Sequence, residues 1–196
     1  MDRVLLWDVM GTLVHDPFRV EMPAFFGISF EAMMRSKHPS AWIEFELGQR
    51  TEREFLEDFF VDGRAFDHSG FVASVVDAYG WIGGMEPLLA ELHAAGCAMH
   101  AFSNYPSWYG LIEGKLRLSR FLEWSFVSCR IGLRKPDPRA YRLVVDRLGV
   151  QADRLLFVDD RQDNCRAARE AGIDAVCFAG ANDLRTVLID AGLLSA

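Results

Sequence analysis

Asp8-Val9-Met10-Gly11-Thr12 is the stretch that decides the fold. It follows a short apolar run over residues 4–7, which predicts a buried strand that ends in a carboxylate. Gly11 and Thr12 stand where the backbone must turn sharply after that strand. Because ligands bind beyond the carboxyl ends of the strands in an open α/β sheet, the pattern predicts that Asp8 is presented there as a nucleophile or a metal ligand.

Helices and strands alternate from residue 85 onward. Apolar runs predict strands over residues 97–102, 124–128, 155–158 and 175–178. Amphipathic segments predict helices over 86–95, 108–116, 137–148, 162–171 and 183–191, several of them ended by glycine. Strands that alternate with helices of this length indicate the α/β class, with a Rossmann-like parallel sheet, helices on both faces and right-handed crossovers.

Residues 15–80 have a different character, because aromatic and acidic residues recur there at helical spacing. Ser29 and Thr51 are typical helix N-caps, and Glu54 completes a capping box with Thr51. Gly48 stands where the preceding helix would end. We predict a small inserted α-helical unit over 15–80, hinged at Pro17 and at residues 80–84, with 1–14 and 81–196 forming the core.

Composition limits the function classes. The chain has 196 residues and a formal charge of -7, which argues against binding to nucleic acid, since that requires a basic surface. The four cysteines, Cys97, Cys129, Cys165 and Cys177, show no metal-type spacing and predict reduced core residues. We found neither a leader pattern nor an apolar run near the ~18 residues of a membrane span. We therefore expect a cytoplasmic monomer or homodimer without a membrane or nucleic-acid partner.

Polar side chains cluster at the predicted strand ends. Asp8 follows the first strand, and the later ends supply Ser103 with Asn104, Lys135, the acidic pair Asp159 and Asp160, and then Asp163 and Asn164. Crowded carboxylates repel one another unless a cation lies among them. Oxygen ligands suit Mg²⁺. The pattern therefore predicts a magnesium site beside a lysine and a hydroxyl at one edge of the sheet.

The order of these four motifs resembles that of the haloacid dehalogenase superfamily, and the helical insertion lies where that family has its C1 cap. The resemblance implies that Asp8 attacks phosphorus and forms an aspartyl-phosphate. It implies that Mg²⁺ is held by Asp8, the backbone carbonyl of Met10, and Asp160, with Asp159 beside the ion or just behind it. Ser103 and the amide of Asn104 would bind a phosphoryl oxygen, and Lys135 would neutralise charge. Asn164 would tie the Asp160 loop to the site.

More narrowly, residues 8–18, 37–39, 42–46 and 100–106 are similar to a plant chloroplast branch described as FMN hydrolases. This likeness implies a small phosphorylated metabolite as substrate, with FMN as the candidate. A flat ring would need a stacking partner from the insertion or a loop, and Trp42 and Tyr105 are the residues that could supply it.

Met10 departs from the pattern of the superfamily's phosphatases, which carry a second Asp at this position to protonate the leaving group. General acid catalysis is commonly worth ~10² to 10⁴ in rate. Three functions stay open at this point. The first is a Mg²⁺-dependent phosphatase in which water, the substrate or a residue such as His15 supplies the proton. The second is a metal-independent 2-haloacid dehalogenase, and the third is a non-catalytic binding or regulatory protein.

Several other side chains have ordinary structural explanations. Lys37 would form a Schiff base if the chain were a phosphonatase, but a lysine at a helix end is the simpler interpretation. His100 lies in an apolar strand and is interpreted as a core histidine, and Asp163 as a solvated acid in a first helical turn. His38, in the insertion, is like His15 a candidate for facing the cleft.

Overall fold

The structure is a computed structural model that describes residues 3–195. Its five strands are β1 (Val4–Trp7), β2 (Ala98–Ser103), β3 (Glu123–Val127), β4 (Leu155–Asp159) and β5 (Asp174–Cys177). They form one sheet in the order β3-β2-β1-β4-β5, and every neighbouring pair is parallel. Because β1 is the central strand, Asp8 lies directly beyond the middle of the carboxyl edge. The predicted parallel α/β sheet is confirmed.

Helices cover both faces of this sheet. The core helices are α6 (Met85–Ala94), α7 (Tyr109–Leu116), α8 (Ser128–Ile131), α9 (Pro138–Leu148), α10 (Gln162–Glu170) and α11 (Ala181–Asp190). Side chains alternate across β1, so Leu5 and Trp7 join one buried apolar cluster while Leu6 joins the other. Strands buried on both faces explain the continuous apolar runs in the sequence.

Predicted and observed element boundaries in the core agree within three residues. The short helix α8 was not predicted, because four residues are too few to show a helical period. It begins directly after β3 and ends at Gly132, whose positive φ of 67° closes the turn. No helix within residues 3–195 is long and apolar enough to cross a bilayer.

The segment between β1 and α6 forms five helices, which are α1 (Glu21–Phe25), α2 (Phe30–Ser36), α3 (Ala41–Glu46), α4 (Glu52–Glu57) and α5 (His68–Ala78). Ser29 caps α2, and the capping box of Thr51 and Glu54 is present at α4. The two chain connections to this segment run side by side, since Val14 pairs with Trp81 in an antiparallel bridge. The division into a core and a cap at residues 14/15 and 80/81 stays a prediction.

Helix α3 is joined to α8 by a close backbone contact. Ser128 donates a hydrogen bond from Oγ to the carbonyl oxygen of Glu46 at 2.6 Å. Gly48 has a φ of +70°, and a Cβ at this position would lie only 2.4 Å from the carbonyl oxygen of Cys129. Only glycine permits this approach, which holds α3 over the carboxyl edge of the sheet.

Candidate active site

Lys135 joins two carboxylates at the carboxyl edge. Its Nζ lies 2.8 Å from Asp8 Oδ1 and 2.6 Å from Asp159 Oδ2. The side chains of Lys135 and Asp159 are fully buried, and that of Asp8 is 9% exposed. Buried charges are retained only where they are paired and hydrogen-bonded. The structure therefore brings together three residues that the sequence analysis had assigned to one site.

Asn104 holds Lys135 in place through its side chain. Asn104 Oδ1 accepts a hydrogen bond from the backbone N–H of Lys135 at 2.7 Å, and Nδ2 donates to the Lys135 carbonyl oxygen at 2.8 Å. The sequence analysis had assigned Asn104 to substrate binding. Its side chain positions the lysine, and Asn104 also lines the cavity described below, so its role in substrate binding stays a prediction.

Thr12 connects the first and last motifs of the site. Its Oγ1 donates to Asp8 Oδ2 at 3.1 Å and accepts a hydrogen bond from the backbone N–H of Asp160 at 3.1 Å. Thr12 is fully buried. The threonine of the opening stretch was predicted only as part of the turn, and it also orients the Asp8 carboxylate.

The two adjacent acids after β4 have different surroundings. Asp159 is buried, and its oxygens accept hydrogen bonds from Lys135 Nζ, from Asn164 Nδ2 at 3.1 and 2.9 Å, and from the backbone N–H of Arg161 at 2.8 Å. Asn164 thus holds Asp159, the residue before Asp160, and its role in tying the Asp160 loop to the site stays a prediction. Asp160 is exposed to solvent.

Three carboxylates crowd together at this point. One oxygen from each of Asp8, Asp159 and Asp160 lies within 4.8 Å of the others. Gly11 makes room for them, because a Cβ there would lie 2.7 Å from Asp160 Oδ2. A set of oxygen donors with a net negative charge fits a hard divalent cation such as Mg²⁺.

Burial and crowding change the protonation equilibria of the site. Burial raises the pKa of Asp8 to about 7, although the neighbouring Lys135 ammonium opposes the change. Burial also raises the pKa of Asp160, and the nearby charge of Asp159 adds to it. Burial alone would lower the pKa of Lys135, but Asp159 and Asp8 outweigh it and the pKa is raised. Lys135 therefore stays charged.

Ser103 ends β2 and is 1% exposed. Its Oγ has no hydrogen-bond partner among residues 3–195. A buried hydroxyl without a partner is uncommon and costs free energy unless a ligand or ordered water satisfies it. Ser103 does not belong to the cavity wall described next, so its hydroxyl would meet only a group that enters deeply.

A cavity of about 520 Å³ opens above these residues. The sheet edge supplies one wall and the helical segment supplies the other. Met10, Trp42 and Tyr105, all named in the sequence analysis, line it. The remaining lining residues are Asp8, Asp16, Phe18, Arg19, Glu46, Asn104, Arg134, Lys135, Pro136, Asp160, Arg161 and Asn164.

Glu46 is a buried acid that sequence analysis missed. It accepts hydrogen bonds from Trp42 Nε1 at 2.6 Å and forms an ion pair with Arg134 at 2.9 Å. Burial raises the pKa of Glu46, and the Arg134 charge partly offsets this effect. The i, i+4 spacing of Trp42 and Glu46 was the available signal, because it places both on one helix face.

Four candidates lie outside the cavity. His15 Nε2 is 2.9 Å from Glu21 Oε1 at the surface, and His38 Nδ1 accepts backbone N–H groups at the start of α3. Lys37 Nζ donates to the His38 carbonyl oxygen at 3.4 Å, so it is a structural lysine here. His100 is a partly buried core histidine, 2.8 Å from Ser125 Oγ, in agreement with its interpretation.

The remaining predictions concern Asp163 and the four cysteines. Asp163 pairs with Arg161 in the first turn of α10, as expected of a solvated acid. All four cysteines are free, and Cys165 is buried while the other three are partly buried.

Residues 3–172 match the family model of the haloacid dehalogenase-like hydrolases. The chain therefore belongs to this family and is a hydrolase of the class that its sheet and motifs define.

Among curated proteins, the chain is 46% identical over 190 residues to flavin mononucleotide hydrolase 1 of Arabidopsis thaliana, a chloroplast protein by its name. This match covers 97% of the chain and 78% of the relative. The cytoplasmic location expected from the sequence stays a prediction.

Solved structures share the fold at low identity. A haloacid dehalogenase family enzyme of Bacteroides thetaiotaomicron in a magnesium complex has a TM-score of 0.79 at 19% identity, with 95% of this chain and 98% of that chain covered. L-2-haloacid dehalogenase of Xanthobacter autotrophicus has a TM-score of 0.65 at 17% identity, with 100% and 85% covered.

Proposed function

We propose that the chain is a Mg²⁺-dependent phosphatase that hydrolyses a small phosphate monoester, with FMN as the candidate substrate and Asp8 as the nucleophile. The observation that carries the proposal is the Lys135 ammonium held between Asp8 and Asp159, next to the exposed carboxylate of Asp160. This arrangement offers a nucleophile, a fixed cation and a metal-binding acid at one end of a cavity.

The chemistry follows from the positions of the chain's own groups. A carboxylate oxygen of Asp8 attacks phosphorus, the bond from phosphorus to the ester oxygen breaks, and an aspartyl-phosphate forms. Water then attacks phosphorus, the bond to Asp8 breaks, and inorganic phosphate leaves. Lys135 offsets the negative charge of the phosphoryl group, and the free hydroxyl of Ser103 donates to one of its oxygens.

Asp8, Asp160 and the backbone carbonyl of Met10 would hold Mg²⁺. When bound, the ion supplies positive charge against the phosphoryl oxygens. We assign Asp159 to the positioning of Lys135 and Asn164, because both of its oxygens already accept hydrogen bonds from them.

The size and wall of the cavity support a substrate with a flat ring. Its volume of about 520 Å³ falls within the range of small-molecule sites. Trp42 and Tyr105 supply aromatic surface, and Arg19 adds a positive charge. The Arabidopsis relative bears the name of an FMN hydrolase. We further propose that residues 15–80 act as a cap that selects the leaving group.

The test is phosphate release from FMN, a sugar phosphate and an activated aryl phosphate, measured with Mg²⁺ and with EDTA. The wild-type chain should release phosphate only with Mg²⁺, and Asp8→Asn should be inactive. Asp62→Asn, at an exposed acid outside the cavity, is the matched control and should behave as wild type. If no substrate released phosphate, or if Asp8→Asn retained full activity, the proposal would be wrong.

Met10 favours a second candidate, a 2-haloacid dehalogenase, because a halide leaves without a proton. The three clustered carboxylates disfavour it, since that reaction needs no metal. Halide release from a 2-haloacid that persists in EDTA would reverse the ranking.

A further inference from the structure

The proposed reaction needs a proton donor in the cavity, and Met10 cannot act as one. A phosphate monoester of an alcohol leaves as an alkoxide, and protonation of that oxygen lowers the barrier substantially. The thioether of Met10 lines the cavity but carries no exchangeable proton. If the proposed phosphatase activity is correct, the proton comes from water, from the substrate or from another group in this wall, and only a group in the wall can be held in a fixed position.

Two acidic groups of the cavity wall, Glu46 and Tyr105, are already engaged in hydrogen bonds within the protein. Glu46 is 6% exposed, and its oxygens accept hydrogen bonds from Trp42 and Arg134. Tyr105 shares a hydrogen bond of 2.8 Å with the hydroxyl of Tyr79, and burial raises its pKa well above the ordinary range. Neither group is free to exchange a proton with a substrate near neutral pH.

The groups at the floor of the cavity already have other roles, in ion pairs or in the carboxylate cluster. Lys135 is fully buried between Asp8 and Asp159, where the two carboxylates keep its proton in place. Asp160 belongs to the carboxylate cluster that fits the cation. His15 faces Glu21 at the surface and does not line the cavity, so the histidine suggested by the sequence is also excluded.

Asp16 has the required properties. It lines the cavity with Met10 and Asp8, and its Oδ1 accepts a hydrogen bond from the backbone N–H of Phe18 at 3.0 Å. Within residues 3–195 its other oxygen accepts no hydrogen bond, so that oxygen can carry a proton. Asp16 is exposed, yet the protein around the carboxyl group partly desolvates it and raises its pKa.

The backbone of Asp16 is fixed on both sides. The preceding residue, His15, donates its N–H to the carbonyl oxygen of Gly80 at 2.9 Å, next to the bridge between Val14 and Trp81. Pro17 follows Asp16 and restricts it to an extended conformation. The same turn carries Met10, whose bridge with Val14 joins the two ends of the turn. Asp16 is therefore a preorganised group rather than a mobile surface acid.

We infer that Asp16 replaces the acid missing at Met10 and protonates the leaving group. The protonated Asp16 carboxyl group gives its proton to the ester oxygen as the bond between that oxygen and phosphorus breaks, and Asp16 becomes a carboxylate. In the second half of the cycle, Asp16 accepts a proton from the attacking water as the bond from phosphorus to Asp8 breaks. Asp16 then carries its proton again, and the products are the alcohol and inorganic phosphate.

The test compares Asp16→Asn with wild type on FMN and on an activated aryl phosphate, whose leaving group needs little protonation. Asn keeps the acceptor for the Phe18 N–H but cannot donate an acidic proton. We expect kcat for FMN to fall by about 10²-fold or more and kcat for the aryl ester to fall far less. Met10→Asp introduced together with Asp16→Asn should restore most of the loss on FMN.

Asp62→Asn is the matched control, because Asp62 Oδ1 accepts from the backbone N–H of Arg64 in the same i, i+2 turn, away from the cavity. Asp16→Ala is the second variant, and thermal unfolding of each variant checks its fold. Equal losses on both esters, or no loss on FMN, would overturn the role of Asp16 while leaving the phosphatase intact. A wild-type chain that hydrolysed neither ester would overturn the phosphatase and Asp16's role together.

Discussion

Lys135 Nζ and Asp159 Oδ2 form a 2.6 Å ion pair from which solvent is fully excluded. The same ammonium lies 2.8 Å from Asp8 Oδ1, so one cation balances two buried carboxylates. Removal of one partner from a buried ion pair leaves an uncompensated charge, which is much more costly than the net contribution of the intact pair.

We therefore predict that Lys135→Met destabilises the fold by about 3–5 kcal/mol and abolishes activity. The loss should be smaller at acid pH, because protonation of Asp8, whose pKa is raised to about 7, relieves the repulsion that the missing ammonium leaves between the two carboxylates. Denaturant unfolding at neutral and acid pH measures both effects. The control is Lys37→Met, which removes a lysine outside the cavity; a loss of stability as large in that variant would contradict the explanation.

A second prediction concerns Gly11, whose missing side chain makes room for Asp160. In Gly11→Ala, a Cβ would lie 2.7 Å from Asp160 Oδ2 and displace that carboxylate. We expect a weaker apparent affinity for Mg²⁺, measured as a higher Mg²⁺ concentration for half-maximal phosphate release. Gly96→Ala is the control, because it imposes the same backbone strain: φ is +79° at Gly96 and +81° at Gly11. The added Cβ at position 96 meets no atom within 4 Å. The Mg²⁺ dependence of this variant should match that of wild type.

A third prediction follows from the contact of Gly48 with Cys129. Gly48→Ala would push α3 away from α8, at a cost of about 1–2 kcal/mol for the left-handed backbone and more for the contact. Because α3 carries Trp42 and Glu46, we expect KM to rise more than kcat falls. Gly63→Ala, with φ of +66° and no atom within 4 Å, separates backbone strain from displacement of α3. Equal changes in KM in both variants would argue against the displacement.

A fourth prediction links Glu46 to pH. Because burial raises its pKa, the folded chain binds this proton more tightly than the unfolded chain does. The free energy of unfolding should therefore fall as pH rises from the ordinary glutamate pKa through the raised value. Glu46→Gln removes this contribution, and its unfolding free energy should vary less with pH over that window. Parallel slopes for the two proteins in urea denaturation at several pH values would refute the prediction.

The sheet and its edge are predictable from the sequence because their signals are local. Asp8 and Asp159 each end an apolar run, and parallel strands bring such ends together. Ser103 ends β2 in the same way. Lys135 lies in a loop, but the motif order was sufficient to assign it to this edge.

The wall of the cavity that the helical segment supplies was less predictable, since its residues come together through tertiary contacts. Glu46 is paired with Arg134, 88 residues further along the chain, and no periodicity links the two. Asp16 follows His15, and adjacent residues on an irregular turn give no indication of which one faces the cavity. The chemistry of imidazole favours His15 as the proton donor, whereas in the structure Asp16, and not His15, lines the cavity.

Asn104 has a consequence for redesign of this chain. Its side-chain amide forms hydrogen bonds with both the N–H and the carbonyl oxygen of Lys135, as the backbone of a neighbouring strand would. The end of β2 and the loop that carries Lys135 therefore form one rigid unit. A new substrate preference should therefore be sought by varying Phe18, Arg19 and Trp42 on the opposite wall. Loop exchange between family members should transfer residues 103–104 and 134–136 as a pair, since either segment alone would lose its hydrogen-bonding counterpart.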